Sequence, residues 1–250
     1  MIYSLLAKTN DGRCAGMAVR LAADRPGGLF YGNRRQQTAM AVNMGEDMPK
    51  DKTESHNRII PAARREFLEK GFQNASIRSI AKRSGITSGG LYRHFKNKED
   101  MFAALVEPAL AEVNAWMDAH VWRGWQGALA GDYGAMWQDN EIDMIREVVY
   151  PNLDAFRLIL CCSQGTRYES FVDDLVNEHQ NIMLDVFGQL RARGVPVKDV
   201  SAEELHILMS AYTTAMFEPI VHAYPLEDAM HYLKTIEAFF LPGWHDIMGC

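Results

Sequence analysis

The sequence predicts an all-α protein, with an N-terminal helix-turn-helix domain of three helices followed by a larger helical body. Three observations carry that prediction. Apolar residues recur at 3.6-residue spacing over most of residues 57–241. Strand-type alternation of useful length is absent from the sequence. A short stretch, "SIRSIAKRSGITSGGLYRHFKNKED" (76–100), divides into two small helices around a glycine.

Residues 1–49 have six glycines, two prolines and no sustained helical period. They read as a disordered extension. Met40, Met44 and Met48 also leave open a true start further along the chain. The first convincing helix spans 57–70, with Ile59, Ile60, Ala63, Phe67 and Leu68 on one face and Gly71 as its stop. Pro61 fits there only within the first turn, where N–H groups lack intrahelical partners.

A second helix covers 77–83, with Ser76 as N-cap and Gly85 ending it. Thr87 or Ser88 caps a third helix reaching Phe95. Asn97 caps a fourth, which carries Met101, Phe102, Leu105 and Val106, with Pro108 inside it or at its end. Further helical segments follow at 109–121, 126–131, 139–149, 151–163, 168–193, 201–222 and 226–241, and Gly194–Val195–Pro196 breaks the last long pair. The expected domains are therefore an extension at 1–52, a helix-turn-helix domain at 53–106 and a helical domain at 107–250.

The formal net charge of −6 argues against a polyanion partner for the whole chain. Its distribution reverses that conclusion for one segment. Residues 50–100 carry 12 basic and 6 acidic side chains, whereas residues 101–250 carry 8 basic and 22 acidic. A basic module on an acidic body points to a polyanion bound by the module alone. Cys14, Cys161, Cys162 and Cys250 form no C-x-x-C pair, which predicts a reduced, cytoplasmic protein. No apolar run approaches the roughly 18 residues of a membrane span, and the first residues lack the basic start of a secretion signal.

The basic segment has the chemistry of a helix-turn-helix. Ala81 is small enough for two helices to approach, and Gly85 supplies the positive φ of the turn. Ile77, Ile80, Ile86 and Leu91 form the inward face. Arg78, Lys82, Ser88, Arg93, Lys96 and Lys98 form the outward one. Such a second helix is sized for the roughly 12 Å major groove.

The stretch "IIPAARREFLEKGFQNASIRSIAKRSGITSGGLYRHFKNKEDMF" also resembles the DNA-binding domain of the TetR/AcrR family of transcriptional repressors. The resemblance rests on Gly71–Phe72, Ser76–Ile77, Ile80–Ala81, Gly85, Gly89, Leu91–Tyr92, His94–Phe95 and Lys98–Glu99. It implies that Tyr92 and His94 touch phosphates, that Lys98 meets another at a helix N-terminus, and that Thr87 contacts the backbone while capping. Ser88, Gly89, Gly90 and Arg93 would face base edges, and Arg78 would reach a phosphate or a base. With Ser76 and Lys96, these residues make up the expected DNA-binding set. Gly90 departs from the family, which more often has a side chain there. Two successive glycines leave Ser88 and Arg93 to carry direct readout, with DNA shape supplying the rest.

The resemblance further implies a homodimer on a near-palindromic operator in double-stranded DNA, and a small-molecule effector bound in the helical body. The stripe Leu205, Met209, Tyr212, Met216, with Tyr232 and Ile236 on the next helix, is the expected dimer surface; alternatively it closes the monomer core. Trp116, Trp137, Met144, Phe156, Phe171, Met183 and Phe187 are candidate pocket residues, although such residues are more often ordinary core.

No cofactor, metal or membrane partner is expected: His120, His179 and His206 have no metal-ligand spacing. Enzyme motifs are missing as well. Cys161–Cys162–Ser163–Gln164–Gly165 lacks the first glycine of a nucleophile elbow, and there is no phosphate-binding glycine loop. The reading is a ligand-responsive repressor rather than an enzyme. The alternative is an architectural DNA-binding protein without ligand control, against which the large acidic body argues.

Overall fold

The structure, a computed structural model, describes residues 50–129, 141–192 and 196–248. The described residues are helical with no strand among them: α1 (Lys50–Asn74), α2 (Ile77–Ser84), α3 (Ser88–Leu91), α4 (Lys98–Leu129), α5 (Glu141–Met144), α6 (Leu153–Cys162), α7 (Phe171–Ala192), α8 (Ala202–Val221) and α9 (Leu226–Met248). A π-helical turn, Ile145–Val149, follows α5. The extension expected at 1–52 lies, up to residue 49, outside the described residues.

The chain divides into two compact units. Among the described residues, 50–111 and 154–169 form one, and 112–129, 141–153, 170–192 and 196–248 form the other. Of the two places open for Pro108, the structure takes the one inside the helix. α4 runs on through residue 106 and through Pro108 to Leu129, so the expected boundary between 106 and 107 falls inside a helix. The basic unit also takes in α6 from Asp154 and the turn after it, which are remote from it in sequence.

In the first unit, the apolar face read from the sequence is the core. Ile59, Ala63, Phe67, Ile80, Leu91, Phe95, Phe102 and Val106 are buried. Phe67, Phe72 and Phe102 meet ring to ring, with Phe67 edge-on to Phe102 at 5.3 Å and Phe72 edge-on to it at 5.6 Å. Tyr168 also packs against Phe102, its ring tilted at 5.9 Å. Its hydroxyl donates to Glu107 at 3.0 Å, and the Arg167 backbone N–H donates to Glu99 at 3.1 Å. Arg167 also pairs with Glu107.

α1 begins earlier than expected, so Pro61 stands in its interior. The carbonyl of Asn57 loses its donor, but both residues are exposed and water can replace it. Gly71, at φ 71°, ends the regular part of α1 as anticipated.

In the second unit α8 packs against both α7 and α9, and α5 meets α9. Ser201 caps α8 in a full capping box with Glu204. The core takes Phe171, Val176, Met183 and Phe187 from α7, Leu205, Met209, Tyr212, Met216 and Ile220 from α8, and Leu233 and Trp244 from α9. Each fully buried side chain of this size stabilises the fold by roughly 1.5–3 kcal/mol.

Candidate nucleic-acid interface

The interface is built on a buried carboxylate. Glu66 sits on the core side of α1 with no exposed surface. The Ser79 hydroxyl donates to it at 2.6 Å, Lys70 at 2.9 Å and the Ser76 backbone N–H at 3.2 Å; the Arg83 guanidinium lies 3.3 Å away. Burial pushes the carboxyl up, but the hydrogen bonds from Ser79, Lys70 and Ser76 outweigh it and hold Glu66 below the usual range. One turn on, Glu69 takes Arg83 and Arg65, which hold its pKa down at about 2. α1 and α2 are thus locked face to face by a charge network. Ser76 has N-cap backbone geometry, but its side chain makes no cap bond; its N–H is what Glu66 uses.

The turn is fixed next. Gly85 adopts the left-handed conformation (φ 66°, ψ 29°), and the Ile86 N–H reaches back to Ala81 O at 3.0 Å. From α1, Arg58 donates to Ser84 O at 2.8 and 3.0 Å and to Gly85 O at 2.9 Å. The last carbonyls of α2 are therefore capped by a cation.

The third helix is shorter than the sequence suggested. Regular α geometry covers only Ser88–Leu91, and Tyr92, Arg93 and His94 continue as turns, with Arg93 N–H to Gly90 O at 3.2 Å and His94 N–H to Leu91 O at 2.9 Å. Two glycines in four residues give the segment little intrinsic helicity, and i→i+3 bonds tighten its end. Thr87 is the cap: its Oγ1 accepts the Gly90 N–H at 3.1 Å.

The expectation that Gly90 faces base edges is corrected. Gly90 is buried, and a Cβ there would stand 2.6 Å from Ile86 Cγ2. Gly89 is exposed, with open space where its side chain would be. Ser88 is half-buried, Arg93 is exposed and Tyr92 is 56% exposed. His94 is half-buried and leans toward the ring of His56, 6.2 Å away.

Lys98 also departs from expectation. Its ammonium donates to Phe72 O at 2.6 Å, Gln73 O at 3.2 Å and Ala75 O at 3.3 Å, and lies 4.4 Å from the Phe72 ring centroid. Burial pulls its pKa down. Asn97 and Asp100 cap the start of α4, with Asp100 N–H to Asn97 Oδ1 at 2.7 Å and Lys96 N–H to Asp100 Oδ2 at 3.0 Å.

The cations of the module therefore separate into two groups. Arg58, Lys70, Arg83 and Lys98 are bound to acceptors of the unit itself. The side chains of Arg78, Lys82, Arg93 and Lys96 are exposed and have no acid partner among the described residues. Sequence reasoning missed Arg58 and Glu66. Glu66 left a signal, being a charge between Ala63 and Phe67 on an otherwise apolar face. Arg58 left none, because its partners are backbone carbonyls 26 and 27 residues away.

Residues 59–105 match the model of the bacterial regulatory proteins of the tetR family. Over these residues the chain is similar to the DNA-binding domain of that family. Among curated relatives, the chain is 29% identical over 112 residues to the HTH-type transcriptional regulator AcrR of Shigella flexneri, which covers 45% of this chain and 46% of that protein. It is 48% identical over 54 residues to an HTH-type transcriptional regulator of Staphylococcus aureus (strain USA300), covering 22% of this chain and 29% of that one. The chain thus matches less than half the length of these relatives. A solved structure of NalD, the secondary repressor of the MexAB-OprM multidrug efflux pump in Pseudomonas aeruginosa, aligns with a TM-score of 0.43 at 20% identity, over 76% of this chain and 97% of that one.

Beyond the TetR-type domain, the expected pocket and dimer residues separate. Phe156 belongs to the first unit, whereas Trp116, Met144, Phe171, Met183 and Phe187 belong to the second. Met183 and Phe187 are fully buried, and the Trp116 indole donates to Glu147 at 3.0 Å. Trp137 lies outside the described residues. Leu205, Met209, Tyr212 and Met216 are buried within the chain. They are core, and a partner cannot reach them without displacing α7 or α9. Tyr232 is exposed and Ile236 half-buried. The apolar side chains left outermost on these helices are Phe239, 78% exposed, and Ile207, 66% exposed.

Proposed function

We propose that this protein is a sequence-specific DNA-binding transcriptional regulator, a ligand-responsive repressor that binds a near-palindromic operator as a homodimer in the cytoplasm. One observation carries the DNA-binding reading: the exposed, acid-free cations Arg78, Lys82, Arg93 and Lys96 flank, along the chain, a Thr87-capped turn in a TetR-type domain. A module of this size reads only a few base pairs, so useful specificity needs two copies on related half-sites. Phe239, Ile207 and Tyr232 supply apolar surface for that pairing.

The effector is a small molecule held by the helical body. It lowers operator affinity by favouring the conformation in which the two recognition turns are wrongly spaced for successive major grooves. Expected domain roles are DNA binding for residues 53–106, and ligand binding with dimerisation for 107–250.

The test is recovery of bound fragments from random or genomic DNA by the purified full chain at near-physiological salt. An enriched near-palindrome supports the reading. Salt-sensitive binding with no enriched sequence would leave an architectural DNA-binding protein instead.

A further inference from the structure

We infer that Lys98 and Arg58 are positioning residues of the recognition turn, and that the phosphate-holding cations are Arg78, Lys82, Arg93 and Lys96. The inference rests on the DNA-binding reading above and sharpens it. An ammonium has three N–H donors. Those of Lys98 meet three backbone carbonyls, Phe72 O, Gln73 O and Ala75 O, at 2.6–3.3 Å, and the charge lies against the Phe72 ring. These carbonyls belong to the joint between α1 and α2, which Gly71 at φ 71° has broken out of the α1 ladder. Phe72 O also accepts the Ala75 N–H at 3.3 Å, a neutral donor and so a weaker one than the ammonium. A phosphate would have to strip the ammonium from all three.

Arg58 does the same at the next joint. Its guanidinium forks across Ser84 O and Gly85 O, the two carbonyls at which the chain turns from α2 into α3. The recognition helix needs such holding, since it has only four residues, two of them glycine. Its own backbone bonds cannot fix its direction. The two clamped joints and the Thr87 cap do so.

The outward group behaves oppositely. Arg78, Lys82, Arg93 and Lys96 are exposed and unpaired among the described residues, so each can meet a phosphate without breaking an internal bond.

Salt dependence separates the two roles. Each neutralised phosphate contributes about 0.9 to the slope of log affinity against log salt. Binding of the full-length protein would be measured from 50 to 300 mM salt, on the operator recovered by selection and on a random-sequence duplex. Lys98→Met and Arg58→Met are expected to leave the slope and the random-duplex affinity unchanged and to lower the operator-to-random preference at least tenfold. Lys98→Arg keeps charge and donors and should restore part of that preference. Arg78→Met and Lys82→Met should each reduce the slope by about 0.9 per bound protomer.

A slope reduction of that size in Lys98→Met would make Lys98 a phosphate ligand and overturn the inference. Should Lys98→Met fail to fold, an undiminished slope in both Arg78→Met and Lys82→Met would overturn it independently. Wild-type protein that binds no DNA would instead defeat the DNA-binding reading itself.

Discussion

Gly90 lies flat against Ile86, so close that a methyl group on Gly90 would stand 2.6 Å from Ile86 Cγ2 and 3.2 Å from Thr87 Oγ1. Ile86 is β-branched and stiff at χ1, so it cannot swing aside. Gly89, its neighbour, has nothing within 4 Å of the same position. The two glycines therefore have opposite reasons to be there. Gly90→Ala is expected to destabilise the first unit by about 1–3 kcal/mol through overpacking. Gly89→Ala should be neutral or stabilising by up to about 1 kcal/mol through helix propensity, while its outward methyl weakens operator binding. Chemical denaturation of both variants, with operator titration, checks the contrast; equal destabilisation would contradict the packing.

Glu66 accepts bonds from two helices and a turn with no exposed surface. Glu66→Ala leaves the Ser79 hydroxyl and the Ser76 N–H without their acceptor, while Arg83 keeps Glu69. Each buried donor left unsatisfied costs about 1–3 kcal/mol. The first unit should melt well below wild type, and DNA binding should be lost with it. Glu66→Gln, which keeps one carbonyl acceptor, should lose less. Calorimetric melting of the three proteins tests the order.

Glu69 provides a pH signature. Arg83 and Arg65 lower its pKa from an ordinary 4.5 to about 2. A depressed carboxylate contributes stability that is fully present above the unfolded-state value and is lost as pH falls through the folded one. The loss should therefore fall between pH 4.5 and about 2. Glu69→Gln should flatten the stability profile in that window and be less stable than wild type at pH 7 by the same small amount, small because the pair is partly exposed and screened. Urea denaturation at stepped pH gives the measurement; an unchanged acid limb in Glu69→Gln would contradict the pairing.

Phe239 and Ile207 stand out from two helices that pack on each other. If they meet a second copy, Phe239→Ser with Ile207→Ser should shift the protein from dimer to monomer in sedimentation velocity, with no loss of helicity. A dimer that survives both changes would place the pairing face elsewhere. Met209→Ser, by contrast, should destabilise the chain itself by about 2–5 kcal/mol, since Met209 is core.

Local chemistry alone determined much of this protein. Apolar spacing gave α2, α6, α7 and α8 to within a few residues, whereas α1 begins seven residues earlier and α9 ends seven residues later than read, and 109–121 and 126–131 fall on the one helix α4. Gly71 and Gly85 were legible because a positive φ is a property of the residue. The charge contrast between residues 50–100 and the rest marked the module, and the spacing of its landmarks carried the family resemblance. Thr87 was a legible cap because Ser and Thr bond the N–H groups that follow them.

Only the tertiary structure decided which charges face outward. Lys98 and Lys96 are two residues apart and chemically identical, yet one is bound to three carbonyls and the other to none. That difference depends on where the α1–α2 joint lies in space, and helical periodicity does not encode it. Gly90 was misread for the same reason: its inward position follows from contact with Ile86 across a tight turn. Leu205, Met209, Tyr212 and Met216 read equally well as core or interface, because an apolar stripe states that a face is covered and not by what. The packing of α7 and α9 on α8 covers it from within the chain.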